Sequence, residues 1–177
     1  MEKIFITYAW AIWCWKSPIT NYISTKLWLP VFDTDAIVSE VCEDFLKKDW
    51  DEIRKRSEER LNLIINDWKS FICDCSVDRK RWKIKESLIK NQYKYFIISI
   101  DLDKETLINF YTVKSYYESM ERIDKVYEDH QNFLKEFSDD ISVHVNEKNY
   151  KDRLKDVYRL VSQRVEKLRM GENGMIK

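Results

Sequence analysis

Trp82 and Glu86 stand four residues apart in the segment RKRWKIKESLIK (79–90). On a helix that spacing stacks an indole and a carboxylate on one side, one turn apart. Arg79, Arg81, Lys83 and Lys85 surround the pair and favour the ionised carboxylate. Basic side chains beside a helix N-terminus also suit an anion such as a pyrophosphate. Tyr8 and Trp10 close an apolar run and offer flat faces to a ring. Asp33 and Asp35 frame a turn, and Ser76 ends another short segment. Each of these has a plainer reading: a packed indole with a salt-bridged carboxylate, core aromatics, and helix caps. His130 and His144 lie apart, outside any recognisable dyad, and read as structural residues.

The elements that must position these residues are legible from patterning. KIFITYAW (3–10) is a continuous apolar run of β-branched and aromatic residues, as expected of a strand buried on both faces. LWLPVFDTD (27–35) is a second short strand, with Pro30 at its start or edge and Asp33 to Asp35 at a helix N-cap. Apolar residues at helical spacing run from Ala36 to Trp68, broken at Asp49–Glu52, which has the form of a capping box. SFICDCS (70–76) predicts a short third strand weakened by Asp74, and residues 79–92 a basic helix. YKYFIISID (93–101) is the strongest strand signal in the chain. A long helix then runs to about Phe137, DISVHV (140–145) alternates like a half-covered edge strand, and a final helix covers about Lys148 to Leu168. Strands alternating with helices predict a parallel sheet with helices on both faces, whose ligands bind at the carboxyl ends of the strands.

Composition narrows the function classes. Lys+Arg and Asp+Glu both number 31, so no global field steers the protein to nucleic acid or membrane. The four cysteines lack paired metal-ligand spacing and read as reduced thiols of a cytoplasmic protein. Ile4 to Trp15 is too short to cross a bilayer and reads as core. Both glycines, Gly171 and Gly174, lie at the end of the chain. Their absence elsewhere argues against a Walker loop, a dinucleotide fingerprint and a nucleophile elbow, each of which needs glycine where backbone meets phosphate or turns sharply.

In this order the segments resemble TIR-like domains, in particular the bacterial TIR-like proteins of phage-defence systems. KIFITYAW resembles their opening strand, VFD the end of their second, and YFIISID their fourth. S-V-D-R-K-R-W-K-I-K-E (76–86) resembles the family's box of small residue, tryptophan and glutamate. The resemblance covers about residues 3–101. It implies a flavodoxin-like α/β fold with a parallel sheet of about five strands, as one domain over residues 1–170 followed by a flexible tail, 171–177.

It also implies an activity. Catalytic members break the bond between nicotinamide and ribose in NAD, leaving a hydrolysed or cyclised product. Glu86 would be the catalytic carboxylate, stabilising the positive charge that develops on the sugar. Tyr8, Trp10, Asp33, Ser76 and Trp82 would hold the nucleotide. NAD is then substrate, no other cofactor or metal is expected, and self-association into a homo-oligomer accompanies activity. Two other readings stay open: a non-catalytic TIR-like module that signals by assembly, and an all-helical viral or phage binding protein favoured by the glycine deficit.

Overall fold

A computed structural model describes residues 3–10, 16–67, 69–78 and 84–173, without the side chains of 118, 119 and 169–173. The chain runs β1 (Lys3–Trp10), α1 (Lys16–Leu27), β2 (Val31–Phe32), α2 (Thr34–Phe45), α3 (Trp50–Asn66) and β3 (Phe71–Ser76). It continues through α4 (Lys85–Lys90), β4 (Tyr93–Ile100), α5 (Lys104–Val113), α6 (Tyr117–Met120) and α7 (Ile123–Glu136). β5 (Ile141–Val145) and α8 (Arg153–Asn173) complete it. The five strands form one sheet with every pairing parallel. An all-helical protein is thereby excluded.

The sheet order is β2-β3-β1-β4-β5. A flavodoxin-like sheet runs 2-1-3-4-5, so that part of the expectation is corrected. From β1 the chain passes over one strand position to lay down β2, then returns to fill the gap with β3. β1 thus lies at the centre, flanked by β3 and β4, and all eight of its residues are buried. The period of two divides that strand between the faces. Ile4, Ile6, Tyr8 and Trp10 join Ile19 and Ile23 of α1 and Val157, Val161 and Val165 of α8 on one side. Phe5 and Ala9 face the other side with Ile37 and Val41 of α2, Ile53 and Ile65 of α3, and Leu88 of α4. Helices therefore cover both faces, as the alternating pattern predicts.

Local chemistry sets the element boundaries. Asp49 caps α3 by accepting from the Asp51 and Glu52 amides, which divides the long periodic stretch where the capping box lies. The single long helix expected after Asp103 is three helices. Ser115, at φ 57°, turns the chain between the first two. β5 is an edge strand with alternating exposure. α8 continues to Asn173, past the position where the tail was expected to begin. Among the described residues no helix is long and apolar enough to cross a membrane.

Candidate functional site at the carboxyl ends of β1 and β3

Lys16 opens α1 six residues after Trp10, the last residue of β1, and its side chain reaches β3. Its Nζ lies 2.5 Å from Asp74 Oδ1 and donates at 3.1 Å to the Asp74 carbonyl. Both side chains are largely buried, at 15% and 9% exposed. Thr20, one turn further along α1, donates to Asp74 Oδ1 at 3.3 Å and pairs with the Tyr8 hydroxyl at 2.7 Å. Burial raises the Asp74 carboxyl above its ordinary range, against the lowering effect of Lys16, and the Asp33 charge adds to the rise. Burial also pushes the Tyr8 phenol far above the usual tyrosine range. The residue that weakened β3 as a strand is therefore the polar centre of this cluster.

A second buried pair adjoins it. Asp78, just past β3, accepts from the Trp10 amide at 3.0 Å and lies 3.2 Å from His130 Nδ1 of α7. Both side chains are 1% exposed. Asp101, at the end of β4, lies 3.7 Å from His130 Nε2 and accepts from Gln131 at 3.0 Å. The carboxyl ends of β1, β3 and β4 thus converge on one polar layer, tied to α1 on one side and α7 on the other.

Several expected site residues belong to this layer. Tyr8 is fully buried and held by Thr20. Trp10 is 4% exposed, stacks edge-on to Tyr8 at 5.9 Å and lies under the Lys16 ammonium at 5.0 Å. Its Nε1 has no hydrogen-bond partner among the described residues, and neither has the buried Ser76 Oγ. Asp33 caps α2, accepting from the Asp35 amide at 2.9 Å, at the carboxyl end of β2. Trp82 lies outside the described residues. Glu86 is brought elsewhere. It is exposed on α4, next to Lys85, whose ammonium binds Asp140 at 2.7 Å beside Tyr95. Asp140 and Tyr95 mark the amino ends of β5 and β4, the far end of the sheet from Lys16. A groove of about 740 Å³ lies there too, lined by Tyr93, Tyr95, Asp140 and Arg164, but Lys85 and Tyr95 already occupy the Asp140 carboxylate.

No protein-family model and no curated protein matches the chain by sequence. Solved structures do match over nearly its whole length. A Chloroflexus aurantiacus protein described as a kinase aligns at TM-score 0.60 and 13% identity, over 94% of this chain and 97% of that one. Shikimate kinase of Bacteroides thetaiotaomicron aligns at 0.57 and 12%, over 91% and 98%. A gluconokinase of Sinorhizobium meliloti aligns at 0.51 and 11%, over 96% and 97%. The chain shares the overall α/β fold of these kinase structures, a parallel five-stranded sheet with helices on both faces.

This overturns the resemblance to TIR-like domains, and with it NAD cleavage and the module acting by assembly. It also redirects attention within the sequence. The Walker pattern reads G-x-x-x-x-G-K-[ST] between a strand and a helix. Residues 10–17 read W-A-I-W-C-W-K-S between β1 and α1, with Lys16 and Ser17 in register and tryptophan on both glycines. A search that begins from glycine passes over this segment. The signal that finds it is the Lys-Ser pair where a buried strand hands over to a helix.

Proposed function

We propose that this chain is a nucleotide-binding domain of the P-loop kinase type, whose triphosphate site lies at the carboxyl ends of β1 and β3. The observation that carries this reading is Lys16-Ser17 at the start of α1, with Lys16 paired to Asp74 on the adjacent strand. In this fold the lysine reaches the outer phosphates, the Ser/Thr hydroxyl binds Mg²⁺, and a strand-borne aspartate also holds the metal. Lys16, exposed Ser17 and Asp74 supply those three groups. A nucleotide takes the Lys16 charge that Asp74 now holds. The neighbouring structures named shikimate kinase and gluconokinase favour a small hydroxylated acceptor over a macromolecular one.

The loop itself does not fit. The cradle is built from backbone amides that close round the phosphates, and its glycines are there because a β-carbon would intrude. Trp10 puts an indole against the lysine ammonium instead. The pattern's two glycines are tryptophans in this sequence, Trp10 and Trp15, so the reading applies to the site with those positions changed to glycine. Phosphoryl transfer from ATP to a panel of small hydroxylated acids and sugars tests it, using the protein with Trp10, Trp13 and Trp15 each changed to glycine. Transfer that disappears with Lys16→Ala is expected. ATP consumption indifferent to Lys16 would refute the assignment.

A further inference from the structure

We propose that the seven tryptophans of this chain stand at glycine positions: one codon, rendered as tryptophan in this sequence, is read as glycine by the organism that makes the protein. Genetic codes differ in the meaning of a few codons, and a single difference of this kind accounts for several anomalies together.

Composition is the first. At an average glycine usage of roughly 7%, a stretch of 170 residues holds about a dozen. This chain has none before Gly171, whereas all seven tryptophans fall between residues 10 and 82. The fold nevertheless turns through left-handed backbone at Trp28, Leu46, Gln92 and Ser115, positions that glycine commonly takes. Spacing is the second. Trp10 and Trp15 fall on the two glycines of a Walker frame whose Lys and Ser are in place, and replacing tryptophan with glycine there restores the pattern completely.

Conformation and burial are the third. Trp28 follows the last residue of α1 at φ 55°, the left-handed position that ends many helices and that glycine usually takes. Its indole is 90% exposed, so no packing compensates for the β-carbon. Leu46, Gln92 and Ser115 share this backbone region, so the dihedral alone does not single out tryptophan. The exposure joins it to Trp50, which is 61% exposed at the first residue of α3. Large aromatic residues belong in cores and interfaces because of the area they bury, and these two bury little. Trp10 is buried, but it leaves Nε1 unsatisfied among the described residues, a net cost that glycine lacks.

The Walker part of this argument rests on the nucleotide-site reading; the composition, Trp28 and Trp50 do not. Peptide mass spectrometry of the protein purified from its own cells tests the inference directly. Glycine is expected at positions 10, 13, 15, 28, 50, 68 and 82, and the gene is expected to carry the same codon at all seven. Tryptophan in those peptides, or several different codons at those sites, would overturn it. Calorimetric titration with ADP keeps the two claims apart. Glycine in the peptides with no ADP binding by that native protein removes the nucleotide site and leaves this inference standing. Tryptophan in the peptides with ADP bound does the reverse.

Discussion

Lys16 Nζ and Asp74 Oδ1 lie 2.5 Å apart, joining the first residue of α1 to the strand beside β1. In a parallel sheet of order 2-3-1-4-5, that contact crosses the carboxyl end of the two strands where the polar layer gathers. The same ammonium lies 5.0 Å from the centroid of the Trp10 ring.

Trp28→Gly is expected to stabilise the fold. A left-handed residue with a β-carbon costs roughly 1–2 kcal/mol, and an indole 90% exposed returns little by packing. The urea midpoint should rise, with a gain of about 1 kcal/mol. An unchanged or lower midpoint would mean that the indole contributes packing after all.

Tyr8→Phe separates ring packing from the hydroxyl. At neutral pH the variant loses the bond to Thr20, a cost of about 1 kcal/mol. The Tyr8 phenol is raised above its ordinary value of 10.0, so its contribution is fully present below that value and falls as pH rises beyond it. The advantage of wild type over the variant should therefore shrink in alkaline solution. Denaturant midpoints taken on both sides of the ordinary tyrosine range give the comparison; a constant gap would show that the phenol is not held neutral.

Asp78→Ala leaves two buried groups without their shared acceptor, the Trp10 amide and His130 Nδ1. Stranding buried polar groups costs about 1–3 kcal/mol each. A loss of roughly 3 kcal/mol in chemical denaturation is expected, with Asp78→Asn intermediate because its amide oxygen still accepts. Equal midpoints for Asp78→Ala and wild type would show that water replaces the carboxylate.

Glu86→Gln should leave stability within about 0.5 kcal/mol of wild type, as for most surface substitutions. Glu86 is exposed, and its helix lies at the amino ends of β4 and β5. Added to the protein with Trp10, Trp13 and Trp15 changed to glycine, the substitution should also leave MgADP affinity unchanged. A tenfold change in either direction would place the binding site at the wrong end of the sheet.

The strands were legible because their apolar content is dense. KIFITYAW is buried along its whole length and YKYFIISI from Phe96 onward, and the two pair over eight residues. The half-covered edge of β5 showed in the alternation from Ile141 to Val145. Strand order was not legible, because nothing local distinguishes a β3 that inserts beside β1 from one that adds further out. Asp74 is a poor strand former, yet its ion pair with Lys16 at the start of α1 offsets that local preference. The candidate site is masked by its own residues. Tyr8, Trp10, Asp33 and Ser76 stand out by their chemistry and lie at the strand ends, whereas Lys16 carries no signal in a loop without glycine. His130 looked isolated at a separation of 52 residues from Asp78, and only the packing of α7 against the end of β3 brings them together.

The most direct test is a calorimetric titration of MgADP into the protein carrying Trp10→Gly, Trp13→Gly and Trp15→Gly, beside the same protein with Lys16→Ala. Saturable binding by the first and at least a tenfold weaker affinity in the second is the predicted result. No binding by the glycine protein, or equal affinity with and without Lys16, would contradict a triphosphate site at the head of α1.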